Sequence, residues 1–125
     1  MIVDSTVLVD AVRGNKKAGN FLESVDERLL MSRAGEMELT RGARTKRDLK
    51  VIDKFLKVLN VEVVEISEEI SKQAGQIFRS FWHSHGIGAM DAFIAATALV
   101  LGESVVTHNV KHFKFIKGLD LIVPY

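Results

Sequence analysis

The chain has 125 residues, 47% hydrophobic and 26% charged, with a formal net charge of +1, a single proline and no cysteine. That length fits one globular domain with a real core, and no Ser/Gly-rich or Pro-rich stretch marks a linker, a repeat or a disordered segment. The lack of cysteine excludes disulfides and thiolate metal sites. No run approaches the ~20 apolar residues of a membrane span, and Asp4 and Asp10 interrupt any secretory leader, so a cytoplasmic setting is expected.

Short β-branched runs alternate with segments of helical period. "MIVD" (1–4) predicts a strand, followed by a short helix from Thr6 to Arg13 that Gly14 closes, and a second helix capped by Asn15 and running to about Val25. "RLLMS" (28–32) is the next strand, and "SRAGEMELTRG" (32–42) the next helix. From Lys46 to Leu59 a helix places Ile52, Phe55, Leu56 and Leu59 on one side, before a strand in "VEVVEI" (61–66). Over 70–81, Ile70, Ala74, Ile77, Phe78 and Phe81 form one apolar stripe, while 92–101 is apolar around most of its circumference and stops at Gly102. Strands at "SVVTH" (104–108) and "LDLIV" (119–123) flank a short helix over 111–113. Five strands with helices between them predict an α/β fold built on a parallel sheet.

An ionised carboxylate in an apolar run costs several kcal/mol, roughly, unless donors, a cation or water meet it. Asp4 directly follows the first strand, at the carboxyl edge where open α/β sheets bind ligands, and is read as a metal ligand, a phospho-acceptor or a cap for the following helix. Asp10, further along that helix, is expected to be solvated or ion-paired. Asp91 opens the 92–101 helix in line with Ile94, Ala95 and Ala98, where it either complements the helix dipole or aims at a shared centre. Glu36 and Glu38 lie on roughly opposite faces of their helix, so at most one points to a given site. Asn109 follows the fourth strand and is placed to cap the short helix after it.

His83 and His85 have a spacing that binds metal on a strand, but they fall at a helix end beside Gly86, where solvated side chains are expected. Met31, Met37 and Met90 are expected in the core, and Phe78, Phe81 and Trp82 in the core or at a partner surface. Charge is uneven: "RGARTKRDLK" (41–50) carries Arg41, Arg44, Lys46, Arg47 and Lys50 against Asp48 alone, a basic patch suited to phosphates or simply a solvated helix face.

Together these stretches resemble the PIN-domain nucleases, most closely the small VapC-type toxins of type II toxin–antitoxin pairs, almost end to end. "MIVDSTVLVDAVRG" is similar to the family's opening strand, acid, hydroxyl and first helix; "MSRAGEMELTRG" to its acid in an E-L-x-x-G setting, which selects Glu38 over Glu36; and "GIGAMDAFIAATALVLGESVVTHNVKHF" to its D-x-x-I-A-A-T-A helix, next strand and T-x-N turn. The resemblance implies a PIN-like three-layer α/β/α domain over residues 1–125, with a central parallel sheet of about five strands. Asp4, Glu38 and Asp91 then converge on a divalent-metal site, with Thr6 and Thr107 orienting the carboxylates. The fourth position, often Asp in the family, is Asn109, which removes one negative charge and leaves the number of metals open.

Oxygen ligands without cysteine suit Mg²⁺ or Mn²⁺. The implied activity is endoribonuclease cleavage to 5′-phosphate and 3′-hydroxyl products. The implied partners are an RNA substrate, the basic patch holding its phosphates, a small VapB-type antitoxin and a second copy in a homodimer. A PIN-fold RNA-binding or scaffold protein without turnover and a housekeeping RNA-processing nuclease are the rival readings. A phospho-accepting receiver domain accounts for Asp4 but not for Glu38 and Asp91, and it lacks the acid pair expected on the first strand.

Overall fold

In the computed structural model, which describes residues 1–125, the elements follow in the order β1 (Ile2–Val3), α1 (Ser5–Val12), α2 (Lys16–Ser24), β2 (Leu30–Ser32), α3 (Arg33–Arg41) and α4 (Lys46–Val58), then β3 (Glu62–Val64), α5 (Glu68–His85), α6 (Ala89–Leu101), β4 (Val105–Val106) and β5 (Leu121–Ile122). A 3₁₀ turn, Val110–His112, separates the last two strands. All five strands are parallel, in the order β3-β2-β1-β4-β5. The expected sheet is therefore present. Its hydrogen-bonded ladders are shorter than the apolar runs that announce them.

The strands' period of two sorts their side chains into two cores. Ile2, Leu30 and Val105 face one layer with Ile70, Ala74, Ile77 and Ala92, Ala95, Ala96 and Ala98 of α6. Met1, Val3, Leu29, Met31 and Val106 face the other, with Val7 and Leu8 of α1, Leu22 of α2 and Ile52 of α4. This is the α/β/α sandwich of the sequence expectation. Helix α3 contributes Ala34 to the first core and Leu39 to the second, so it straddles the end of the sheet. That straddle sets where Glu38 can point.

Helix ends follow local chemistry. Asn15, Ser32, Thr45 and Ser67 accept from the amides two or three residues on, and Thr45 with Asp48 forms a reciprocal capping box. Helix α5 ends at Gly86 and α6 at Gly102, both in the left-handed region, at φ 62° and 68°. Helix α6 begins at Ala89, three residues earlier than its apolar pattern indicates, which puts Asp91 inside its first turn. Of the methionines, Met31 is buried as expected, whereas Met37 and Met90 are exposed, because the helix faces they occupy look away from both cores. Phe78 and Phe81 are half-buried and pack against the core, and Trp82 is exposed, stacked on Phe78 with centroids 5.4 Å apart.

No helix is long and apolar enough to cross a membrane. The sheet order brings the chain outward from β1 to β3 and then back to β4 on the other side of β1. In open parallel sheets that reversal opens a crevice beyond the carboxyl ends of the two strands, here β1 and β4. Asp4 and Thr107 are the residues that follow those strands.

Candidate metal centre

Asp4 is held from both strands. Its amide donates to the Val106 carbonyl at 2.9 Å, and its carboxylate is only 4% exposed. Oδ2 accepts from the Thr107 hydroxyl at 2.7 Å and the Thr6 hydroxyl at 3.2 Å, while Oδ1 has the longer 3.5 Å contact with the Ser5 hydroxyl. Asp4 is the residue before α1, yet its side chain caps no amide of that helix. The capping alternative is thereby removed: the carboxylate is occupied by hydroxyls, which fix its direction without neutralising its charge. Ser5 and Thr6, the hydroxyls that follow Asp4 in the sequence, thus both reach its carboxylate.

Thr107 is fully buried, and its oxygen also accepts the Asn109 amide at 2.9 Å. A single hydroxyl thus ties the loop after β4 to the acid after β1. Asn109 precedes the 3₁₀ turn but makes no side-chain cap, so the capping expectation fails here as well, and its side-chain amide has no protein partner. Its carbonyl, not its side chain, closes the turn by accepting the His112 amide.

Glu38 projects from α3, half-buried. Burial first, then the charges of Asp4 and Asp91, push its carboxyl above the usual range, with Arg41 pulling the other way. Asp91 shows the same pattern: burial raises it, His112 opposes, and Asp4 adds to the rise. His112 places Nδ1 3.3 Å from Asp91 Oδ2. The three carboxylates, from three elements and nearly ninety residues of chain, therefore sense one another's charge. Glu36 does not join them. Arg33 ion-pairs it, and the Thr40 hydroxyl donates to its Oε2 at 2.6 Å.

As positioned, no three His, Asp or Glu side chains stand close enough to grip one metal ion. Arg41 beside Glu38 and His112 beside Asp91 are the cationic side chains that act on these carboxylates. The oxygen-only donor set fits a hard divalent cation. His83 and His85 are likewise in no such group. They sit in the last turn of α5, and His85, far from being merely solvated, stacks on Phe115 with centroids 4.1 Å apart.

Arg41, Arg44, Lys46, Arg47 and Lys50 are all exposed and none is in an ion pair. Arg41 is the one whose charge reaches Glu38; the rest line the α3–α4 corner and the start of α4. Asp10 is half-buried and in no ion pair, and Tyr125, 115 residues away, donates its hydroxyl to Oδ2 at 2.7 Å. A cavity of about 860 Å³ opens at the amino ends of β2 and β3, between Arg28, Leu29 and Asn60, remote from the carboxylates.

Comparison with known proteins identifies the family. The PIN domain family model matches residues 1–118. Two curated proteins of Mycobacterium tuberculosis are similar along almost the whole chain: "Ribonuclease VapC19", 32% identical with 99% of this chain and 98% of that protein covered, and "Ribonuclease VapC10", 34% identical with 95% and 90% covered. Among solved structures, the DNA-bound VapBC of Salmonella typhimurium superposes with a TM-score of 0.82 at 25% identity over 97% of this chain and 95% of that one. VapBC2 of Rickettsia felis gives 0.82 at 24% identity, over 97% and 96%, a likeness of fold. With this parallel sheet, a family model matched over residues 1–118 and relatives similar along almost its whole length, the chain belongs to the PIN-domain family and is of the VapC type.

Proposed function

We propose that this protein is a divalent-metal-dependent endoribonuclease that acts as the toxin of a toxin–antitoxin pair. What supports the reading is that the charges of Asp4 and Asp91 reach Glu38 and that of Asp4 reaches Asp91, at the end of the sheet where Asp4 follows β1, with Asp4 itself oriented by three hydroxyls. Asp4, Glu38 and Asp91 would hold Mg²⁺ or Mn²⁺, with the Asn109 side-chain oxygen as a neutral fourth ligand. A bound ion supplies charge neutralisation on the scissile phosphate and a nucleophilic water at neutral pH. The hydroxyls of Thr6 and Thr107 keep the Asp4 carboxylate aimed, and Arg41 and its basic neighbours bind the flanking phosphates. Hydrolysis of this type leaves a 5′ phosphate and a 3′ hydroxyl.

The similar proteins named VapBC are toxin–antitoxin assemblies, and for this chain the corresponding partner is a small VapB-type antitoxin that covers the acidic crevice. Purified protein with Mg²⁺ or Mn²⁺ is expected to cut RNA, chelation to stop it, and Asp4→Asn and Asp91→Asn each to lower the rate by at least a hundredfold. Equal cleavage by these variants and the parent would refute the proposal. The neutral Asn109 supports a second reading, RNA binding without turnover. RNA binding that survives chelation, alongside undetectable cleavage by the parent, would establish it.

A further inference from the structure

We propose that the cleft between the end of α5 and the turn after β4 is a nucleobase pocket, in which a base next to the cleaved phosphate stacks on His85 while Lys111 meets the adjoining phosphate. The proposal rests on the ribonuclease reading for its substrate, and on separate observations for its chemistry. The cleft holds about 300 Å³, within the range of small-ligand sites, and is lined by His85, Gly86, Gly88, Asp91, Lys111 and Phe115 among others. It shares Asp91 with the carboxylate group, so whatever fills it lies beside the reacting phosphate.

The wall of the cleft is an aromatic stack assembled before any ligand arrives. The His85 imidazole lies nearly parallel to the Phe115 ring, 22° between planes and 4.1 Å between centroids, and Phe81 braces both, at 5.6 Å from His85 and 4.9 Å from Phe115. The Ser84 hydroxyl is 2.7 Å from His85 Nδ1 and holds the ring's rotation. His85 is exposed, and the base extends the stack on the ring face turned from Phe115. A ring already fixed in place loses little freedom on binding.

Two of the lining residues are glycines. Gly86 turns the chain at φ 62°, and a Cβ on Gly88 would lie 4.0 Å from Asp91 Oδ2, on the way to the carboxylates. Only two of the eight lining residues are hydrophobic, which disfavours an apolar peptide segment. Asp91 already has His112 Nδ1 3.3 Å from its Oδ2, and Lys111, exposed and in no ion pair, is the cation in the lining left to meet a phosphate. A planar, polar-edged, anionic ligand is what these groups recognise in common, and a nucleotide unit has all three properties.

The test follows the ring protons of the four histidines by NMR in the intact, metal-free protein, with the four nucleoside 5′-monophosphates and ribose 5-phosphate as probes. Saturable upfield shifts of the His85 resonance with nucleotides, unequal among the four bases and absent with ribose 5-phosphate, are expected. His85→Leu should weaken nucleotide binding roughly tenfold, His85→Phe should restore it, and Lys111→Ala should weaken all four alike. A pocket for phosphate alone would show the same shifts with ribose 5-phosphate, and either that result or no saturable shift would overturn the proposal. In a cleavage assay on a randomised RNA pool, His85→Leu should relax base preference at one position beside the cut and raise KM more than it lowers kcat. If the parent binds nucleotides through His85 but cuts no RNA, the pocket stands and the ribonuclease reading falls.

Discussion

At the scale of single residues, a buried carboxylate is tolerated here because hydroxyls rather than a cation of the chain surround it. Thr107→Val removes the strongest of those donors and leaves both Asp4 Oδ2 and the Asn109 amide short of a partner. It should cost about 1–3 kcal/mol in urea unfolding and lower cleavage at least tenfold, whereas Thr6→Ala, at an exposed hydroxyl, should cost less on both counts. The shifted acids give a pH signature of definite sign. Because burial and neighbouring charges raise Glu38 and Asp91 in the folded state, their contribution to stability is whole below the ordinary carboxyl range and is lost as pH rises through the raised values. In metal-free protein, Glu38→Gln should therefore gain in unfolding midpoint over the parent as pH rises from about 4 to neutrality, and added Mg²⁺ should close the gap by stabilising the parent. Asp4 and Asp91 were legible in the sequence as strand-end and helix-start acids. Glu38 was separable from Glu36 only by the family resemblance, since periodicity says the two diverge but not which one faces inward; the arginine and threonine that occupy Glu36 are the physical reason.

At the scale of elements, the alternation of β-branched runs and apolar stripes marks all five strands and the main helices because each needs one buried face. The ends were less legible. Helix α5 continues past its apolar stripe on both sides, to the Ser67 cap and to Gly86, since capping and glycine rather than burial end a helix. Gly102, at φ 68° with nothing near its missing side chain, is needed for its backbone alone. Gly102→Ala should destabilise by about 1–2 kcal/mol in thermal or chemical unfolding, without changing the cleavage products. The three acids illustrate the other limit. Each element shows where its own acid lies, but straddling α3 must pack into both cores before Glu38 reaches the crevice, and no local pattern records that.

At the scale of the whole molecule, strand order matters more than any strand. The reversal between β1 and β4 creates the crevice, and the sequence shows that strands exist but not which are neighbours. Contacts across the full chain were equally hidden: Tyr125 reaches Asp10 and lays its ring 4.3 Å from that of His108, beside the Thr107–Asn109 turn. Burial and Asp10 push the tyrosine hydroxyl up to about 12, so it stays a donor through the physiological range. Tyr125→Phe should lower stability by about 1 kcal/mol and leave cleavage close to that of the parent, as should Asp10→Asn, which lies outside the proposed metal centre.

The central claim, that Asp4, Glu38 and Asp91 share one divalent cation, is tested most directly by calorimetric titration of Mn²⁺ into the folded protein. One saturable site is predicted in the parent and in Glu36→Gln, and at least tenfold weaker binding in Asp4→Asn, Glu38→Gln and Asp91→Asn. Unchanged binding in Glu38→Gln, or loss of binding in Glu36→Gln, would contradict the account.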